Sequence, residues 1–244
     1  MILDCVLTAT NDNPMYIGFV PIFIQTWKKL YPSVDVKIIM IADKVPHEIE
    51  QYSENIILYQ PLNNVLSVFI SQYIRLLYPC ILDYKNAVLI TDMDMLPMNR
   101  TYYTDNISSY DDNKFIYYRG NACLEMNQMA MCYNAACPAI WKDIFNINTL
   151  EDIEKRLKEV INPHWSTDQQ HLFQHVMSWN SRTHDLVCLS DKETGFHRLD
   201  RCSIDISNME TIEKICDGKY TDYHCLRPMD KFRETNEFIY KLLK

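Results

Sequence analysis

Glycine is nearly missing from this chain of 244 residues: Gly18, Gly120, Gly195 and Gly218 are all there are, where average usage of roughly 7% would supply about 17. No two lie close enough for G-x-G-x-x-G or G-x-x-x-x-G-K-[ST], so the loops that wrap backbone amides around a phosphate are excluded. Positive charge is also short, with 24 Lys+Arg against 32 Asp+Glu and a net charge of −8. Without a basic run there is no footprint for binding DNA or RNA by counterion release, and no nucleic acid is expected as a partner. No uninterrupted apolar stretch reaches the roughly 18 residues of a membrane span. The first basic side chain is Lys28, so the charged start of a secretory signal is missing and a cytoplasmic location is expected. The nine cysteines are odd in number and contain no C-x-x-C pair. They fit neither a disulfide framework nor a zinc ribbon and read as reduced, mostly buried small side chains.

What the chain does have is 48% hydrophobic residues and 12% aromatics, 16 of them tyrosine, enough to bury a sizeable core in one α/β domain spanning 1–244. Strand and helix patterns alternate from the start, as in a mostly parallel sheet flanked by helices. Ile2–Thr8 reads as a strand followed by a polar loop, Thr8–Asn13, and Gly18–Leu30 as an amphipathic helix with Pro21 in its first turn. Val34–Ala42 and Ile56–Tyr59 read as strands, Leu66–Tyr78 as a helix and Ala87–Thr91 as a buried strand. Thr101–Asn113 reads as loop, Phe115–Arg119 and Met129–Tyr133 as strands, and Pro138–Phe145 as a helix. Capping-box spacings at Thr149/Asp152 and Ser166/Gln169 predict helices from Leu150 and Thr167, and Lys231–Leu243 closes the chain as a helix.

The most informative stretch is Ala87-Val-Leu-Ile-Thr-Asp-Met-Asp-Met95, a buried strand running into Asp92 and Asp94. Residues two apart on an extended chain point the same way, and the carboxyl ends of strands are where open α/β sheets bind ligands. Two carboxylates converging there suit Mn²⁺ or Mg²⁺, with substrate phosphates as further ligands; solvated turn carboxylates are the open alternative. Arg75 sits in the preceding helix, either aimed at a diphosphate or as a solvated charge. His224 is a third metal-ligand candidate or a structural histidine, and Asp168 a site residue or simply an acidic residue favoured at a helix start.

Taken in order, these segments resemble the GT-A glycosyltransferases, most closely the glycogenin and bacterial galactosyltransferase group of family 8. The run Gln72-Tyr-Ile-Arg-Leu-Leu-Tyr-Pro79 followed by Val88-Leu-Ile-Thr-Asp-Met-Asp94 is similar to that family's arginine helix and D-x-D strand. Met131-Cys-Tyr-Asn-Ala-Ala136, Asp168-Gln169, and His224 with Arg227-Pro228 follow in the family's order, and Ala9-Thr-Asn-Asp-Asn13 resembles its nucleotide-base loop. Pro97 and the Ile-, Asn- and Tyr-rich composition are also similar to glycosyltransferase domains of large algal viruses, which would place the chain in the host-cell cytoplasm.

The resemblance implies a metal-dependent transferase with a nucleotide-sugar donor, a UDP-sugar first, and a glycan or other hydroxyl acceptor. Asp92, Asp94 and His224 would hold the metal. Ala9, Thr10, Asn11, Asn13, Arg75, Met93 and Arg227 would bind the donor, and Asn134, Asp168 and Gln169 would orient the sugar at the reacting carbon. The family retains configuration; with Asp168 as general base, inversion would follow. On this view the empty site is acidic and takes its positive charge from the cation. Two alternatives stand beside it: a HAD-type phosphohydrolase with Asp92 as nucleophile, and a non-catalytic scaffold that binds nucleotide sugars.

Overall fold

The computed structural model describes residues 1–243. β1 (Leu3–Asn11) is buried along most of its length, and β2 (Asp35–Ile41), β3 (Ile56–Tyr59) and β4 (Ala87–Ile90) join it in parallel, in the order β3-β2-β1-β4. Side chains alternate between the two faces of these strands, and each face receives its own helix. Val6, Ile38 and Met40 pack with Val20, Phe23 and Trp27 of the helix Val20–Leu30. Cys5, Leu7 and Ile39 pack instead with Phe69, Tyr73 and Ile74 of the helix Ser67–Leu77.

Six further strands follow: β5 (Met95–Pro97), β6 (Phe115–Tyr117), β7 (Asn134–Ala136), β8 (Leu186–Cys188), β9 (Arg198–Asp200) and β10 (Asp222–His224). β7 inserts antiparallel between β4 and β6, and β8 runs parallel to β6, completing a seven-stranded sheet β3-β2-β1-β4-β7-β6-β8. β5, β10 and β9 form a second, three-stranded sheet. The chain moves outward from β1 to β3 and then returns to place β4 on the other side of β1. That reversal opens a crevice beyond the carboxyl ends of β1 and β4.

Several elements depart from the sequence expectation. β1 continues through the polar run to Asn11, because Thr8, Thr10 and Asn11 pair with Ile38, Met40 and Ile41 of β2; threonine suits a pleated, buried strand. Met129–Tyr133 is not a strand, and pairing begins only at Asn134, opposite Ile90 and Tyr117. The stretch before it is a buried loop whose carbonyls at Ala130 and Met131 accept from the Asn134 side chain at 2.9 and 3.1 Å. A short helix, Tyr102–Asp105, lies in the expected loop Thr101–Asn113 and buries Tyr102 and Tyr103. The last helix runs Met229–Leu242.

The Thr149/Asp152 capping box forms, whereas Ser166 makes no cap bond to its helix, Thr167–Thr183. There the Thr167 hydroxyl accepts from the His164 amide at 2.8 Å. All nine cysteines are free, as expected. Among the described residues, no helix is long and apolar enough to cross a membrane. Gly120 is required sterically, since a Cβ there would stand 2.6 Å from the Leu189 carbonyl oxygen.

Candidate active site

The crevice holds a cavity of about 280 Å³, at the lower end of ligand-pocket sizes. Ala9, Thr10 and Asn11 at the end of β1 form one wall, and Asp92, Met93 and Asp94 beyond β4 another. Asn11 is fixed by a hydrogen bond from its carboxamide to Ser67 Oγ at 3.1 Å. Asn13 does not line the cavity; it caps the short helix Pro14–Ile17, accepting from the Met15 amide at 2.9 Å.

Arg75 leaves the helix Ser67–Leu77 and is buried beneath the cavity, 6% exposed. Its Nη1 donates to the Thr91 carbonyl at 3.0 Å and to Asp92 Oδ1, and its Nη2 approaches Asp168 Oδ2 at 3.4 Å. Burial alone would raise the Asp92 carboxyl, but the Arg75 guanidinium outweighs it and holds Asp92 below its ordinary value. Asp168, on the first turn of Thr167–Thr183, is pushed up to about 6 by burial, against the pull of the same guanidinium. Gln169 lines the cavity beside it, and its carbonyl accepts from the Met129 amide at 3.1 Å, tying the helix to the Ala130–Cys132 wall.

Asn134 is fully buried and outside the cavity lining. Its role is one layer back, since it hydrogen-bonds the carbonyls of Ala130 and Met131, which do line the cavity.

The two aspartates both line the cavity, but they do not lie on an extended strand as expected, and they take different partners. β4 ends at Ile90 and the chain turns, with the Met95 amide on the Asp92 carbonyl at 3.2 Å. Asp92 faces Arg75, whereas Asp94, 4% exposed, faces the second sheet. Asp94 Oδ2 accepts from Arg201 Nη1 at 2.8 Å and lies 3.5 Å from Arg227 Nη1 and 3.7 Å from His224 Nε2. His224 is oriented by its Nδ1 contact with Asp200 Oδ2 at 3.2 Å.

The expected metal triad therefore meets a test it does not pass. Among the described residues, no group of three or more His, Cys, Asp or Glu side chains is gathered to hold a metal ion. Asp94 already carries a guanidinium on the oxygen turned toward His224. Asp92, Asp94 and His224, as arranged, do not fit a divalent cation.

Arg201 is the residue that sequence reading misses. It follows β9, a three-residue strand with no hydrophobic run to announce it, and belongs to no motif. With it the cavity is lined by Arg75, Arg201 and Arg227 against Asp92, Asp94 and Asp168, so the empty site is not the acidic one expected. Tyr16 and Trp165 also line the cavity, and no motif singles them out; Tyr16 accepts from Arg227, and Trp165 is 68% exposed at the cavity edge.

No family model and no curated protein matches the sequence. Solved structures match in three dimensions. A complex of the galactosyltransferase LgtC with donor and acceptor sugar analogues superposes with a TM-score of 0.50 at 14% identity, over 98% of this chain and 95% of that one. The chain shares the fold of solved glycosyltransferases. An active-site mutant of LgtC gives a TM-score of 0.52 at 11% identity over 98% of this chain and 94% of that one. The bifunctional glycosyltransferase WbbM, in its apo form, gives 0.52 at 12% identity, covering 99% of this chain and 51% of that one. The mixed, mostly parallel sheet expected from the sequence is the sheet these enzymes share with it.

Proposed function

We propose that this protein is a glycosyltransferase that moves a sugar from a nucleotide diphosphate sugar, with UDP as the nucleotide, to a hydroxyl group of a glycan or another acceptor. One observation carries the reading: in a fold shared with glycosyltransferases, Arg75 holds Asp92 and Asp168 against the cavity at the carboxyl ends of β1 and β4. A guanidinium beneath two carboxylates organises a site for a charged, polyhydroxyl ligand.

Ala9, Thr10 and Asn11 would receive the base and ribose, and Asp168 and Gln169 the donor sugar. The bond between the anomeric carbon and the diphosphate oxygen breaks, with its electron pair leaving on the diphosphate. The acceptor oxygen bonds to the anomeric carbon, and its proton passes to the departing phosphate. Retention of configuration is the outcome we favour by resemblance to family 8; a proton taken up by Asp168 instead would go with inversion, and NMR of the product anomer separates the two. Trp165, exposed at the cavity edge, offers an apolar face to an acceptor ring.

Thermal shift across UDP-, GDP- and dTDP-sugars, followed by an assay for released nucleotide with added glycan acceptors, tests the proposal. A nucleotide sugar at 100 times its dissociation constant should add about 2.7 kcal/mol of stability. Release of inorganic phosphate from simple esters, with no nucleotide-sugar response, would favour the phosphohydrolase reading, although that reading needs as its nucleophile a carboxylate that Arg75 already occupies. Binding without turnover would favour the scaffold.

A further inference from the structure

Resting on the reading of this cavity as a diphosphate-sugar site, we propose that Arg201 takes the place of a divalent cation. The guanidiniums of Arg201 and Arg227 then stabilise the departing diphosphate, and sugar transfer proceeds without a metal.

The geometry of Arg201 is that of a built-in charge. It stands in the turn after β9, and Asp200 before it engages His224 of the neighbouring strand β10. Its Nη1 donates to Asp94 Oδ2 at 2.8 Å and to the Cys225 carbonyl at 3.4 Å. The Asp94 carbonyl in turn accepts from the Cys225 amide at 2.9 Å, so the guanidinium is pinned between two segments that are themselves bonded together. Asp94 thus serves as the anchor of an arginine.

Among the described residues, Arg201 Nε and Nη2 donate to no protein group, and neither do Arg227 Nε and Nη2. Both side chains line the cavity, 20% and 28% exposed. Planar guanidiniums with unspent donors match the paired oxygens of a phosphate. As the anomeric bond lengthens, negative charge collects on the diphosphate oxygens, and fixed donors aimed there act on the transition state more than on the ground state.

The experiment uses the full chain and three readouts. The free-ion EPR signal of Mn²⁺ titrated with wild-type protein is expected to persist undiminished. Inorganic pyrophosphate is expected to bind wild type in EDTA by calorimetry, and to bind Arg201→Ala and Arg201→Gln at least tenfold more weakly. With an active nucleotide sugar, wild-type turnover in EDTA should stay within about threefold of that with Mn²⁺, and both variants should lose on the order of 10²-fold, the scale of a missing oxyanion donor. Saturable Mn²⁺ binding by wild type, or pyrophosphate binding that requires Mn²⁺, overturns the proposal. So does pyrophosphate binding to neither form, or turnover abolished by EDTA. If pyrophosphate binds in EDTA through Arg201 while no nucleotide sugar binds or reacts, the donor reading fails and the role of Arg201 in diphosphate binding stands.

Discussion

The Arg75 guanidinium joins two carboxylates that lie 76 residues apart in sequence, donating to Asp92 through Nη1 and standing 3.4 Å from Asp168 through Nη2. Removing one partner of a buried charge cluster leaves the others uncompensated. Arg75→Met is expected to lose about 3–5 kcal/mol of stability in urea unfolding, together with at least 10²-fold in turnover. A variant as stable as wild type would make Arg75 a solvated charge after all.

Asp168 predicts a pH signature. Its carboxyl titrates near 6 in the folded chain against an ordinary value of 3.8. The folded state therefore takes up the proton first, and the associated stability is complete below pH 4 and lost as pH rises through 6. Asp168→Asn lacks this titration. Relative to wild type it should gain about 1–3 kcal/mol at pH 7.5 and nothing at pH 3.5, while transfer activity drops. Equal differences at both pH values would contradict the raised carboxyl.

Asp222 is fully buried and accepts from Arg198 Nη2 at 2.6 Å and from the Tyr133 hydroxyl at 2.6 Å. This pair fastens the second sheet to the cavity wall, where Arg198 Nη2 also reaches Cys132 Sγ at 3.5 Å. Asp222→Asn should cost about 3–5 kcal/mol and shift the melting temperature down by several degrees. Tyr133→Phe removes only one hydrogen bond and should cost about 1 kcal/mol. The ranking of the two variants by calorimetry is the check.

Trp165 tests the acceptor side separately. Because it is largely exposed, Trp165→Ala should leave unfolding within about 0.5 kcal/mol of wild type. The KM for a glycan acceptor should rise about tenfold, equivalent to about 1.4 kcal/mol, with the KM for the donor unchanged. A change confined to the donor would move Trp165 to the other substrate.

The readable part of the molecule was the part built by local rules. β1 to β4 and their two covering helices follow from periodicity, and Thr149/Asp152 from cap spacing. Arg75, Asp92 and Asp168 reach one cavity because each sits at an element end that the pattern identifies. Spacing failed where a different acceptor was nearer: the Gln169 amide that Ser166 would have capped donates to Asp168 Oδ1 at 2.8 Å. Asn134 looked like a ligand contact and instead supports a loop from behind, a distinction that depends on burial. Arg201 was out of reach because its meaning arises entirely from the pairing of β9 with β10 and of β10 with β5. None of these strands exceeds three residues, and all three partners are distant in sequence.

That small sheet also fixes when the site can come into being. Asp94 precedes Arg201 by 107 residues, so at roughly 5–20 residues per second of synthesis its carboxylate waits about 5–20 s for a counter-charge. Until β9 and β10 arrive, this edge of the larger sheet has to stay open to water, because a lone carboxylate is too costly to bury. Pairing of β9 and β10 with β5 is what brings Arg201, His224 and Arg227 to Asp94 at the cavity. A nascent chain that ends before β9 lacks Arg201, His224 and Arg227, and so carries half a pocket.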